Sequence, residues 1–423
     1  MRKSALAGAG IAAVLGLTLS ACSSTPEDSP SSSAPGEQPA EQVTITYSNF
    51  ISNGGNEDNL AKIVAAFEAE NPDIKVEVTT LPYADYFDAL KTDLVAGTTA
   101  DVFDIEYATY PQFQPAGVFA PLEGVDTSVY RGDIAAAYAT DGVQYALPTS
   151  FSTVVLFYNK DLFDAAGVDY PTSDWTWADE MAAAEKLTDA ANGVWGDYQP
   201  ISYYEYYKAL VQAGGSFLSA DGKSVAFNSP EGLAAAEHLV KKAGTVMPTA
   251  EQGAGTPDFD TNLWATGKLA MWHTGIWMFG AGADGGFDWD IVVEPGSAQK
   301  GSAVFSNAVA VSANSQHKEA AQKFAEFLSS SSVMVDVRLE SGWELPAISD
   351  DAKLATYLEK GDPANRQAVF DSLNAIALPP VIGDNQSQMQ DIIGELLNEA
   401  AAGRISVADA LAQAEERINA LLG

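Results

Sequence analysis

The chain of 423 residues carries one cysteine, Cys22, and three histidines. A single thiol excludes an intrachain disulfide. So few sulfur and imidazole ligands leave little for a metal centre, and no metal or other cofactor is expected. Positive charge is scarce as well: 22 Lys and Arg face 57 Asp and Glu, a net charge of −35. That balance argues against nucleic acid and against an anionic lipid surface as partners. It does not identify a cationic ligand, because acids spread over a large surface more often serve solubility. No Gly-x-Ser-x-Gly element occurs, so the serine-esterase signature is missing. The uncharged apolar stretch near the amino terminus, Ala5 to Leu19, is shorter than the ~18 residues of a membrane-spanning helix. Internal repeats and coiled-coil heptads are absent.

What is present begins with Arg2 and Lys3, then that short apolar stretch, then the small residues Ser20 and Ala21. A positive start, an apolar middle and small residues at the cut describe an export signal over residues 1–21. Leu19-Ser20-Ala21-Cys22 resembles the bacterial lipobox, which implies cleavage before Cys22 and its lipidation. The alternative is a secreted protein with a stray thiol. Cleavage there removes two bases and no acid, taking the net charge from −35 to −37. Ser23 to Gln42 contains six Ser, four Pro and no aromatic residue. Such a segment buries too little apolar surface to offset its ordering entropy and reads as a disordered tether. A lipid and a tether together would hold a soluble domain at the outer face of the cell membrane.

The rest is globular. The composition is 47% hydrophobic, ample for a core, and the length favours two domains. Val43 to Tyr47 alternates as a strand. Leu60, Ile63, Val64 and Phe67 fall at i, i+3, i+4 and i+7 of a helix that Asn71-Pro72 ends. A strand over Ile74 to Val78, a helix over Tyr86 to Ala96 and a strand over Val102 to Ile105 follow. The βαβαβ order predicts an α/β fold with a parallel sheet. Val154 to Tyr158 reads as a strand buried on both sides. Further strands are expected at 269–272, 291–293 and 308–311. Helices are expected at 176–187, 231–242, 317–328, 388–402 and 406–421.

The stretch Tyr158 to Gly167, continuing through "PTSDWTWADEMAAAEKL" (Pro171 to Leu187), resembles the extracellular solute-binding proteins of ABC importers. The likeness is to the large sugar-binding group that includes maltose-binding protein. It continues in Gly214 to Gly222 with Phe227 to Glu231, in "LWATGKLAMWHTGIW" (Leu263 to Trp277) and in "SGWELP" (Ser341 to Pro346). Ala100 stands where the family pattern has a structural proline. The resemblance implies a type II periplasmic-binding-protein fold of two α/β lobes, each a mostly parallel sheet flanked by helices, joined by a hinge. Lobe 1 would take 43–148 and 302–345, and lobe 2 would take 149–301 and 346–423. The chain would be a monomer with no catalytic residues, capturing a mono- or oligosaccharide between its lobes and delivering it to an ABC permease.

A sugar presents C–H faces and a rim of hydroxyls, so it calls for aromatic platforms beside groups that accept and donate hydrogen bonds. The family likeness points to Trp277, with Gly275 allowing close approach, to Ser152 at the crossing between lobes, and to Tyr203 and Tyr204. Loops after parallel strands face the crevice, which nominates Asn49, Tyr83, Glu106 and Tyr107. Trp343 sits in a turn where an indole needs cover. Met271, Trp272 and His273 read as structural. A secreted glycoside hydrolase, with two carboxylates about 5 to 10 Å apart, and a binder of a polyamine are the competing expectations.

Overall fold

The computed structural model describes residues 42–51, 56–283, 285–359, 361–377 and 379–422. The expected export signal, Cys22 and all of the tether before Gln42 lie outside the described residues.

The first lobe is built from β1 (Val43–Asn49), α1 (Glu57–Glu70), β2 (Ile74–Thr80), α2 (Tyr83–Ala96) and β3 (Val102–Glu106). β1 runs parallel to both neighbours, with Tyr47 opposite Val78 on one side and Val102 on the other. The α1 stripe is buried where its spacing predicts, at Leu60, Ile63, Val64 and Phe67. Each such side chain contributes about 1.5–3 kcal/mol. The helix ends at Asn71, whose Nδ2 donates to the Phe67 carbonyl. Gly97 closes α2 in the left-handed region at φ 71°, where a Cβ would be strained.

The central strand is β4 (Ala146–Asn159), buried along all 14 residues. It is followed by α3 (Trp177–Leu187), α4 (Tyr203–Gln212), α5 (Pro230–Val240), β5 (Met271–Gly275), β6 (Trp289–Val292) and β7 (Ser302–Val311). Thr176 starts α3 with a full capping box to Asp179. Then come α6 (Lys318–Ser330), α7 (Ser332–Ser341), β8 (Leu345–Pro346), β9 (Ile376–Ala377), α8 (Gln386–Ala401) and α9 (Val407–Leu422).

The strand order is β8-β4-β7-β3-β1-β2. β7 is antiparallel to both β3 and β4. β4 pairs with β7 from Ala146 to Thr153, then changes partners and lies antiparallel to β5 and β6 from Val154 to Asn159. The sheet is therefore mixed. The expected parallel arrangement holds for β1 to β3, while the second lobe is chiefly antiparallel around β4. The physical reason is connectivity: β4 and β7 cross between lobes and return, which sets them in opposite directions. A register shift between Pro148 and Ser150 marks the crossing. After the crossing, the Arg131 amide donates to the Ala347 carbonyl and the Ser349 amide to the Val129 carbonyl. The segment just past β8 is thus tied to first-lobe chain.

One apolar cluster runs through both halves. Phe67 and Phe324 meet edge to face at 5.0 Å under the first sheet. In the second lobe Phe157 stacks on Trp289 at 5.3 Å. Another second-lobe cluster joins α4, α5, α8 and α9 through Leu210, Leu239, Ile393 and Ile418.

Candidate functional site

The carboxyl ends of β1 and β3 and the amino ends of α2 and α4 converge with the turn after β5, the middle of β7 and the segment between α7 and β8. They enclose a cavity of about 310 Å³. That is the low end of the range for small-molecule sites.

Five of the residues nominated from sequence line it: Tyr83, Glu106, Tyr204, Trp277 and Trp343. Tyr83 opens α2, and its hydroxyl donates to Glu106 Oε2 at 3.2 Å. Tyr204 stands in the first turn of α4, a helix started by the Ser202 side chain, and packs against Phe305 at 5.1 Å. Trp277 is half-buried in the helical turn after β5, edge-on to Phe305 at 5.3 Å. The Trp343 ring lies under the Arg338 guanidinium, 4.0 Å from its carbon to the ring centre. Cation–π contact and burial hold that ring in place.

The other five take different positions. Asn49 is fully buried and its Oδ1 accepts from the Ile51 amide at 3.2 Å and from Thr80 Oγ1 at 3.1 Å. It shapes the turn that brings Phe50, a lining residue, to the cavity. Ser152 is fully buried inside β4. Tyr203 is core; its hydroxyl donates to the Pro380 carbonyl at 2.9 Å. Tyr107 borders a separate space of about 10 Å³ behind Tyr204. Gly275 does not line the cavity either. A Cβ there would sit 1.9 Å from the Trp277 ring, so the glycine makes room for that indole. Gly275→Ala is expected to push the ring from its seat at about 1–3 kcal/mol. Titration calorimetry should then read weaker ligand binding while far-UV circular dichroism stays unchanged.

Several lining residues were not nominated. Asp104 is two positions from Glu106 and so on the same face of β3, a period-two signal present in "VFDIE". Glu344 follows Trp343 directly. It receives Ser150 Oγ at 2.6 Å and Asn307 Nδ2 at 3.0 Å, and lies 3.4 Å from Arg338 Nη1. Nothing local in the sequence marks Asn307, and only a helix position before the turn marks Arg338. His273, read as structural, does border the cavity, yet both ring nitrogens face inward.

Those nitrogens enter a buried charge network under the second lobe. His273 Nδ1 is 2.7 Å from Glu294, and Nε2 is 3.3 Å from Glu180 and 3.4 Å from Asp197. Lys208 bridges Glu205 at 2.6 Å and Glu294 at 2.7 Å. Lys242 bridges Asp197 at 2.7 Å and Glu180. Burial disfavours the imidazolium, but the Asp197 and Glu180 charges and the Asp197 hydrogen bond together outweigh it and hold His273 well above its ordinary value. Burial also opposes ionisation of Asp197, and Lys242 with His273 overcomes it and holds the carboxyl below its usual range. Two sets, Glu180 with Asp197 and His273, and Glu205 with His273 and Glu294, bring metal-type ligands together. In each, a lysine ammonium already pairs with both carboxylates, so the arrangement is an ion network.

On the first-lobe wall the balance reverses. Burial pushes Asp104 up to about 7 against the Tyr47 hydrogen bond and the Arg338 charge. Burial pushes Glu106 up to about 8 against the Tyr83 hydrogen bond, with Glu344 and Asp104 adding to the rise.

A two-lobed α/β molecule with an aromatic, acid-lined cavity between its lobes is a binding protein in form. The family model described as "Bacterial extracellular solute-binding protein" matches residues 53–335, and the chain belongs to that family. It is 27% identical over 364 residues to the galactooligosaccharide-binding protein of Bacillus subtilis, covering 80% of this chain and 79% of that one. Among solved structures, an ABC substrate-binding protein of Listeria monocytogenes in complex with cycloalternan is 40% identical. It superposes with a TM-score of 0.86 and covers 90% of this chain and all of that one. A solute-binding protein of Thermotoga lettingae bound with alpha-D-tagatose is 26% identical, with a TM-score of 0.80 over 90% of this chain and 100% of its own.

Proposed function

We propose that this chain is the ligand-capturing subunit of an ABC importer and that it carries a carbohydrate, mono- or oligosaccharide, in the cavity between its lobes. The observation that carries the reading is the composition of the cavity wall. Two indoles, Trp277 and Trp343, stand with Tyr83 and Tyr204 beside carboxyl groups and the Asn307 amide. Flat rings suit sugar faces and the acids suit its hydroxyls. The ligands of the Bacillus, Listeria and Thermotoga proteins support the same class. Asn49, Tyr107, Ser152, Tyr203 and Gly275 would act on the ligand only through the residues they position.

The lobe limits read from the sequence, 43–148 with 302–345 and 149–301 with 346–423, belong to this proposal. The change of β4 partners after Thr153 supports a hinge close to the first limit. A ligand that touches both lobes stabilises the closed form over the open one; moving from mostly open to mostly closed takes about 5.5 kcal/mol of differential binding. The permease would recognise the closed shape. Lipidation at Cys22, a monomeric state and placement at the outer membrane face complete the proposal. No helix among the described residues is long and apolar enough to cross a membrane.

Binding is favoured over hydrolysis by the placement of the acids. Asp104 and Glu106 share one strand and one wall, whereas hydrolysis sets two carboxyls on opposite sides of the bond. Of the acids across the cavity, Glu205 is engaged by Lys208 and Asp260 by backbone amides at the start of its own helix. The test is a panel of mono- and oligosaccharides, with a polyamine as control, read by tryptophan fluorescence and melting temperature. Ligand at a hundred times its dissociation constant should add about 2.7 kcal/mol. A response to the polyamine alone would refute the carbohydrate assignment, and release of reducing sugar would point to the hydrolase.

A further inference from the structure

Five carboxyl groups border the cavity, and three of them, Asp104, Glu106 and Asp260, form no ion pair among the described residues. Glu344 has Arg338, and Glu205 has Lys208. Glu106 forms no ion pair with any lysine, arginine or histidine among the described residues, although it is only 5% exposed. The groups facing it are acids and phenols. Asp104 lies beside it on β3, and Glu344 approaches from the segment before β8. Tyr83 and Tyr86 face it from α2, Tyr138 from the chain before β4, and Tyr204 from α4. Arg338, the only lysine or arginine among the described residues that line the cavity, is placed against Glu344. An isolated carboxylate in this setting would be desolvated and repelled at once.

We infer that Glu106 meets the sugar as an uncharged carboxylic acid and donates its proton to a sugar oxygen, so that it selects an acceptor atom on the ligand. This rests on the carbohydrate reading above, in which the acids of the wall accept from the sugar's hydroxyls, and gives Glu106 the opposite part. The chemistry follows from the hydrogen-bond inventory. An ionised carboxylate only accepts, so it can serve a hydroxyl but never a ring or glycosidic oxygen. A protonated carboxyl has one donor, and ether oxygens have only lone pairs. Tyr83 donates to Oε2, which leaves the acid proton available for the cavity. Acceptors for the ligand's hydroxyls are already supplied by Glu344, paired with Arg338, and Glu205, paired with Lys208.

The sign of the pH effect is fixed by this role. The proton is present at neutral pH and is lost as pH rises through about 8. Above that value the donor becomes an anion facing a lone pair, and affinity falls.

The experiment uses the purified protein and two probes, cycloalternan and a galacto-oligosaccharide, titrated by calorimetry from pH 6.5 to 9.5. The wild type is expected to weaken by at least about tenfold across that range. Glu106→Gln keeps an N–H donor without a charge; it should bind within a few-fold of the wild type and show a flat profile. Glu106→Ala should bind weakly at every pH. Asp104→Asn and Asp260→Asn should each keep the pH dependence, which separates Glu106 from the two other raised carboxyls of the cavity. A flat wild-type profile overturns the inference and leaves the carbohydrate reading standing. So does a Glu106→Gln variant as weak as Glu106→Ala, or a pH dependence that disappears in Asp104→Asn or Asp260→Asn and persists in Glu106→Gln. Absence of heat with either sugar at every pH overturns both. A ligand-independent check is the infrared carbonyl band of a protonated carboxyl. It should be present at pH 7, reduced in Glu106→Gln to the share left by Asp104, which titrates at about 7, and lost from the wild type by pH 9.5.

Discussion

Lys242→Met should lower the stability of the folded protein by about 3–5 kcal/mol, the range for removing one partner of a buried ion pair. Lys242 is fully buried and pairs with both Asp197 and Glu180. Its methionine replacement packs similarly but leaves two carboxylates beside a single imidazolium, that of His273. The deficit should depend on pH in a definite direction. Asp197 has a depressed pKa in the folded wild type. Its stabilising contribution is therefore present above the ordinary carboxylate value of 3.8 and is lost as pH falls below it. In the variant, protonating a carboxyl relieves the uncompensated charge, so the gap to the wild type should narrow in acid. Denaturant melts at pH 7 and pH 4.5 measure both. A second change, Asp197→Asn in the Lys242→Met background, should recover part of the loss. A single variant that melts with the wild type would show the ammonium to be dispensable.

Trp277→Ala should weaken ligand binding by about 2–4 kcal/mol, roughly thirtyfold to a thousandfold, because an indole is the largest flat apolar surface a cavity can offer a sugar. The ring is half-buried and held on two sides, by the bare backbone of Gly275 and by Phe305. It is therefore positioned before any ligand arrives. Trp277→Phe should fall between the two. Folding should be little affected, since the neighbours Ile276 and Met278 remain buried on either side. Calorimetry and a thermal melt read the two effects separately. Unchanged affinity in the alanine variant would remove Trp277 from the ligand's surroundings.

How much of this was legible depends on whether the cause is local. The α1 stripe and the Thr176 capping box are local, and both elements form where the spacing and the cap place them. β4 is only half legible. Val154 to Tyr158 reads as a strand, but Pro148 reads as a breaker, and only the sheet around it makes Ala146 to Thr153 continuous with the rest. β7 hides in the same way: Ser302, Ser306 and Asn307 interrupt its apolar alternation. Those polar residues are buried because Asn307 serves Glu344 and Ser302 Oγ donates to the Val154 carbonyl at 2.7 Å. α7 was missed because its serine and valine residues are weak helix formers.

In the site, Trp277 and Trp343 were reached through sequence elements shared with a family. Asn307 was not, because it acts through Ser150 and Glu344, far from it in the chain; Arg338 and Asp104 carry only the weak local signals of a helix position before the turn and a shared strand face. Asn49 and Tyr203 show the converse. Each adjoins a residue that lines the cavity, Phe50 and Tyr204, and each is turned inward, an alternation that a position on the chain does not resolve.

The ribbon made by β4 and β7 has one more implication. Because each strand is hydrogen-bonded to both halves of the molecule, the halves cannot slide past one another without breaking backbone bonds. What remains is flexure, as in a leaf spring clamped at both ends and thinnest at the register shift by Pro148. Such a spring returns along the path it took. In the proposed role, closing on cargo would bend those two strands instead of shearing their backbone bonds.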